Sequence, residues 1–560
     1  MGLEQLKVRN IVKQAVSKQV DIPEFQRDFV WGTEQVKRLI ESLYRDYPIG
    51  SFLLWDSSDY QETKTGAGAQ ASLWIVDGQQ RTTALCLLMG MKPYWWPTAD
   101  TWNEALQRYD VMVNLLPDAD GDNLEFALPN PIRSRDPRWV SVRQVLSVED
   151  VEELSNIAQK LAMQITKEPD RVMPLFVQIH ARLQRLWQVR ERDVPIVKIN
   201  HEVEDVAEIF ARLNREGTRV KEADVTLALA AVRNPGWVRE QYLPYCENLE
   251  ERGWDLDAGI FIRAMTAIGH GRARLIEVPK AFWGPSNLPE MWAQASQTLS
   301  EVLKRLAEFG VLSSDLLPSS NSLIPLVALH HRWGSSPGYQ FKKAFYWFLL
   351  ANQDGRYSGS AITSLNEDVR AIAESSNFEM AVESLLSRLR VAADIGDTEF
   401  LSRYDKAGNR FLRLMIYLVL FQKDAQDWVD QTRIGYDKTG GPITSGFSPQ
   451  WHHIFPKSVL RNSNFQADEI NALANVTVMN EQTNVSRLSG KPPAQYLAQY
   501  NVSESVLRSH AIPERFAIAV NDSTLLDRIW SVEHYPDFLL ERSQLLAQSA
   551  THYLKELNAP

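Results

Sequence analysis

A chain of 560 residues exceeds what one hydrophobic core fills, and the usual domain size points to roughly three or four domains. Hydrophobic residues at 44% and charged residues at 23% are ordinary for a soluble globular protein. The net charge of −10 excludes a protein that coats nucleic acid by bulk charge, and two cysteines exclude both a disulfide framework and a cysteine-based zinc site.

Residues 1 to about 230 read as mixed α and β. Ile22-Pro23 opens an extended segment in which polar Gln26 and Arg27 sit between Phe25 and Phe29. Thr33 is placed to cap a helix with apolar positions Val36, Leu39, Ile40, Leu43 and Tyr44. Pro48 and Gly50 end that helix, and Ser51 to Trp55 reads as a buried strand. A polar loop over 61–72 precedes a second apolar strand, Leu73 to Val76.

That strand runs into Asp77-Gly78-Gln79-Gln80-Arg81, and a helix-type run from Thr82 to Met89 leaves it with Leu85, Leu88 and Met89 on one face. A strand-to-helix junction of this composition gathers backbone N–H groups and the positive end of a helix dipole, which suits phosphate. Gly78 permits close approach, Arg81 offers a planar fork, and Asp77 could hold a divalent ion or orient a water. The same residues also fit a plain corner in which Asp77 caps the helix and Arg81 pairs with it. Cys86, in the helical run, reads as a buried thiol.

Arg133, Arg135, Arg138 and Arg143 form a basic cluster of the kind that is usually a solvated face. Val206, Ile209, Phe210 and Leu213 mark a helix face, with Asn214 and Gly217 placed to terminate it. Residues 231–400 are mostly helical by periodicity, interrupted near 270–290, 311–322 and at the polar Arg356-Tyr357-Ser358-Gly359-Ser360. The apolar stretch Phe411 to Phe421 is too short to span a bilayer and carries Arg413. With no signal peptide and no acylation pattern at Gly2, a cytoplasmic protein without membrane contact is expected.

The C-terminal region carries Trp451-His452-His453-Ile454-Phe455-Pro456-Lys457, then Asn475 between β-type residues, then Asn484. Histidine is the natural general base near neutral pH, one divalent ion can polarise a phosphate, and an asparagine can fix the base by hydrogen bonding. Adjacent histidines in a strand face opposite ways, so both serve one site only if the strand bends. From Arg403 to Lys491 eleven basic residues stand against eight acidic ones, a mild basic bias in an acidic chain.

The C-terminal pattern resembles the HNH nucleases of the ββα-metal fold. The resemblance implies His453 as general base, Asn475 as the middle asparagine, and His452 and Asn484 as metal ligands for Mg²⁺ or Mn²⁺. Gln26-Arg27, the Tyr47-Pro48-Ile49-Gly50 helix end, Asp77 to Arg81, the Phe210–Thr218 segment and Arg356 to Ser360 resemble, in the same order, the GmrSD-type modification-dependent restriction endonucleases. That family implies an α+β, predominantly helical fold. Its parts would be a ParB/sulfiredoxin-like nucleotide-binding domain over 1–230, a helical middle domain over 231–400 and an HNH domain over 401–560. It implies binding of GTP or another NTP by Gln26, Arg27, Asp77, Gly78, Gln79, Gln80 and Arg81, with Asp77 and Arg81 taking part in hydrolysis. It further implies cleavage or nicking of modified phage DNA by a type IV restriction enzyme, with a homo-oligomer possible. Two other functions fit these residues: a nucleotide-sensing DNA-binding regulator with an inactive HNH unit, and a defence NTPase that depletes nucleotides.

Overall fold

The computed structural model describes residues 2–23, 29–56, 73–117, 124–201, 205–206, 209, 222–359, 361–436, 443, 447–480, 483, 488 and 490–559. The chain is α+β and predominantly helical, and it divides into two compact units. One comprises residues 1–221 with 227–242; the other comprises 222–226 with 243–560.

The first unit is built on a mixed five-stranded sheet. Its strands are β1 (Gly2–Lys7), β2 (Val20–Asp21), β3 (Phe52–Asp56), β4 (Leu73–Asp77) and, following a separate three-stranded antiparallel sheet (β5 Met112–Asn114, β6 Glu125–Ala127, β7 Trp139–Ser141), β8 (Asp193–Ile199). The order is β1-β8-β3-β4-β2, with β8 parallel to β3, β2 parallel to β4, and the other pairs antiparallel. Helix α1 (Val8–Val16) buries Val8, Ile11, Val12 and Ala15. Helix α2 (Thr33–Tyr44) buries Val36, Leu39, Ile40, Leu43 and Tyr44, the face its periodicity predicts. Its cap is not Thr33: Gly32 precedes the helix, and the Gln35 side chain accepts the Gly32 N–H at 2.8 Å.

Helix α3 (Gln79–Met89) differs from the one-faced helix expected. Every residue from Thr82 to Met89 is buried, so α3 runs through the core rather than along its surface. This placement fixes the strand-to-helix corner from all sides. Cys86 is fully buried, and desolvation raises its thiol pKa.

The second unit is helical from Ala258–His270 through Leu288–Glu308, Leu323–Trp333, Phe341–Gln353, Ala361–Glu374 and Phe378–Leu386, with short helical turns where breaks were expected near 275–283 and 314–322. Arg356 and Tyr357 anchor a turn here: Arg356 grips the buried Asp368 carboxylate through Nε (2.6 Å) and Nη2 (2.7 Å), and the Tyr357 hydroxyl donates to it at 2.8 Å. Beyond it come α4 (Arg410–Gln422), strand β9 (Gln450–His453), the short helices α5 (Lys457–Asn462) and α6 (Ala467–Ile470), strand β10 (Val476–Met479) and the long α7 (Tyr535–Asn558). Strands β9 and β10 pair antiparallel, with His453 opposite Val476 and His452 opposite Thr477. Among the described residues no helix is long and apolar enough to cross a membrane.

Candidate functional site

Two constellations emerge, one in each unit. In the first, β4 delivers Asp77 to Gly78, whose φ of +104° begins α3. A Cβ at this position would lie 2.5 Å from the Phe52 ring, so both conformation and space demand glycine. Thr82 ties its own N–H (2.8 Å) and hydroxyl (3.0 Å) to the Gly78 carbonyl, closing the first turn. Gln80 accepts the Val30 N–H at 2.9 Å, and so holds the chain just after the 24–28 segment against the corner. Gln79 is buried. Gln26 and Arg27 lie outside the described residues.

Arg81 is committed within the protein. Its Nη1 donates to Ile49 O at 2.6 Å, and its Nη2 donates to Ser51 O and to Asp77 Oδ2, both at 2.8 Å. The guanidinium also lies over the Phe52 ring, 4.7 Å from its centroid. Burial lowers its pKa, with Asp77 acting in the opposite sense. Of the two readings of this corner, the ion pair between Asp77 and Arg81 is the one the geometry contains. The Tyr47-Pro48-Ile49-Gly50 motif gains its meaning here. Gly50, at φ +83°, leaves room for Arg81 Nη1, which a Cβ would approach to 2.7 Å. Asp77 keeps a partly exposed carboxylate beside the α3 N-terminus.

On neighbouring β2, Asp21 is buried, and its pKa is pushed up to about 6 by desolvation, against the Ile22 N–H that Oδ1 accepts at 2.7 Å and the charge of Lys18. Most of the basic cluster at 133–143 is engaged internally. Arg133 donates to Leu128 O, Arg138 pairs with Asp136, and Arg143 donates to Leu106 O.

In the second unit the histidine pair follows strand alternation without a bend. His453 is half-buried, with its ring edge-on to Tyr404 at 5.1 Å and Nε2 3.3 Å from Asn471 Oδ1. Asn471 Nδ2 donates to Ala467 O at 2.9 Å, which fixes the amide so that its oxygen faces the imidazole. His453 Nε2 is thereby assigned as the donor, leaving the lone pair on Nδ1. Burial, with Lys457 and His452 nearby, pushes the imidazole pKa down to about 3, opposed by Asn471 and Asp405.

Asn475 is fully buried and acts on the loop rather than on the ring. Its Oδ1 accepts Phe455 N at 2.9 Å, while its Nδ2 donates to Phe455 O (3.1 Å) and Ile470 O (3.0 Å). Tyr496 adds a hydroxyl bond to Ile454 O at 2.6 Å. The Ile454-Phe455-Pro456 turn, which aims His453, is thus clamped by two side-chain bonds from Asn475 and one from Tyr496, and the third Asn475 bond ties it to Ile470.

His452 faces the other way, 4% exposed, edge-on to Trp428 and Tyr496 at 5.9 Å each. Beneath the hairpin lie groups that sequence spacing does not reveal. His510 bonds Thr477 Oγ1 (2.7 Å) and Gln426 O (2.8 Å), and burial pushes its pKa down to about 3. Arg542, from α7, is fully buried and donates to Ala474 O (2.7 Å), Val476 O (2.8 Å) and His510 O (3.1 Å); desolvation lowers its pKa to about 9. Asn471 was missed as well. It lies in a polar helix end with no apolar periodicity to mark it, 18 residues from His453.

Asn484 lies outside the described residues. Among the described residues no group of three or more His, Cys, Asp or Glu gathers as a metal cluster. The enclosed ring of His452 does not fit a ligand to an ion that also meets a phosphate at His453, so no step is routed through a metal.

Residues 8–231 match the family model of the GmrSD restriction endonuclease N-terminal domain. The matched segment is less than half of the 560-residue chain, and the likeness is to that N-terminal domain alone. Over 601 aligned positions the chain is also 20% identical to the uncharacterized protein MJ0686 of Methanocaldococcus jannaschii, covering 96% of this chain and 97% of that protein.

Proposed function

We propose that the protein is a nucleotide-regulated endonuclease of the HNH type that cuts or nicks modified foreign DNA. The observation that carries this reading is the placement of His453: a partly exposed imidazole whose Nε2–H is held by Asn471 and whose Nδ1 keeps its lone pair. In this arrangement Nδ1 takes a proton from water as the oxygen attacks phosphorus in line with the leaving 3′ oxygen. Asn475 acts through the turn it clamps, so the ring keeps its aim during the step. Mg²⁺ or Mn²⁺, if required, would act through substrate oxygens and residues other than His452.

In the first unit the proposed NTP would sit at the start of α3, its phosphates facing the backbone of Gly78, Gln79 and Gln80. Asp77, braced by Arg81, would orient the attacking water. Arg81 then serves as a brace and not as a phosphate fork. Hydrolysis at this corner would regulate cleavage in the other unit.

A gel assay of plain and modified phage DNA with Mg²⁺, with and without GTP, tests the reading on wild type and His453→Ala. Cutting of modified DNA that disappears in the variant is the expected result. Intact DNA in every lane, alongside a working control nuclease, overturns it. The enclosed His452 favours one second reading, a nucleotide-sensing DNA-binding regulator with an inactive nuclease unit; that reading predicts DNA affinity without products.

A further inference from the structure

Helix α4 is apolar over most of its length, with Phe411, Leu412 and Leu414 to Phe421 all buried, yet it carries Arg410 and Arg413 in its first turn. Residues three apart share a helix face, so the two guanidinium groups project together. The turn contains no acidic residue, and the helix dipole opposes cations at this end. Arg413 is half-buried, and burial and Arg410 both weigh against its charge; only Tyr404 and Asp405 favour it. Among the described residues neither arginine makes an ion pair.

The position of this turn is fixed. Asn409 donates to Ser402 Oγ (3.0 Å) and Arg403 O (2.6 Å), tying the start of α4 to the segment that carries Tyr404. Tyr404 N in turn donates to Asn471 O at 2.8 Å, and its ring meets His453. Lys457 Nζ stands 5.5 Å from the centre of the same ring, again without an ion pair among the described residues. The local carboxylate, Asp405, is already gripped by Arg403 through Nε (2.8 Å) and Nη2 (2.6 Å). Lys457 thus lies against Tyr404 of the Tyr404–His453 pair, Arg413 is near enough to Tyr404 and Asp405 to feel their charge, and among the described residues none of the three cations forms an ion pair. A half-buried guanidinium without a carboxylate is costly unless a ligand supplies the negative charge, and phosphate oxygens match its fork.

We infer that Arg410, Arg413 and Lys457 form a phosphate-binding cleft that carries the DNA backbone past His453. The inference rests on the nuclease reading above and names the surface that would present the substrate to it. Arg413 is the inner anchor and binds a phosphate next to the scissile one. Arg410 and Lys457 extend the track on either side of Tyr404.

The test uses the full chain carrying His453→Ala, so that DNA is bound and not consumed. Its affinity for a labelled duplex is followed by fluorescence anisotropy across a KCl series. Adding Arg413→Gln is expected to weaken binding roughly tenfold at low salt and to make the slope of log K against log salt less negative by about 1. Arg413→Gln with Arg410→Gln should make it less negative by about 2, while Arg413→Lys should restore the slope. Circular dichroism checks folding, and if Arg413→Gln does not fold, the exposed Arg410→Gln and the Lys457→Gln variants carry the same readout. Unchanged affinity and slope in the folded variants overturn the cleft while leaving the nuclease reading in place. No DNA binding by the parent at any salt overturns the reading on which the cleft rests.

Discussion

Replacing Asn475 by alanine separates a residue that holds the site from one that performs chemistry. The side chain is fully buried and makes three hydrogen bonds, one to Phe455 N, one to Phe455 O and one to Ile470 O. Alanine removes all three and leaves one donor and two acceptors of the backbone unpaired. At about 1–3 kcal/mol for each stranded group, with partial relaxation, the loss is roughly 3–6 kcal/mol. For a large helical unit this lowers the thermal midpoint by roughly 5–10 °C. Scanning calorimetry on wild type and Asn475→Ala, with His453→Ala as comparison, reads the effect. His453 makes one 3.3 Å hydrogen bond and is half-buried, so its loss should shift the midpoint by no more than about 2 °C. If Asn475→Ala keeps the wild-type midpoint and abolishes cleavage, the asparagine contacts the reacting atoms and the clamp argument is wrong.

His452→Ala should lower stability by about 2–3 kcal/mol through lost packing on Trp428 and Tyr496, with the Mg²⁺ concentration for half-maximal cleavage unchanged; a large rise in that concentration at wild-type stability would identify a metal ligand instead. Gly78→Ala should destabilise the first unit by about 2–3 kcal/mol, because φ is +104° and Phe52 blocks the new methyl group; denaturant titration measures it, and Phe52→Leu in the same chain should recover part of the loss. Asp21 holds its proton more tightly folded than unfolded, with a folded pKa of about 6. Its contribution is thus fully present below about pH 4 and is lost as pH rises through about 6, by up to roughly 3 kcal/mol. Asp21→Asn should flatten that dependence in urea unfolding at pH 4.5 and 7.5, and an unaltered pH profile would contradict the assignment.

Much of this protein is written in local pattern. The buried face of α2, the existence of strands β3 and β4, the glycine at position 78 and the alternation of His452 and His453 follow from periodicities of 3.6 and 2 and from backbone sterics, which act within a few residues. The α3 helix shows the limit, since its apolar spacing suggests one buried face, and only packing from every side decided that it lies within the core. Tertiary structure also decided what the charged and polar groups do. Arg81 spans about 30 residues to close on Ile49 and Ser51; Asn471 meets His453; Arg542 reaches β10 from the last helix. A guanidinium or amide has the same chemistry whether it faces a phosphate or a backbone carbonyl, so sequence names the donor and only the fold supplies the acceptor. Arg413 is the inverse case. Its sequence context, an apolar helix, argues for a partner, and among the described residues it forms no ion pair.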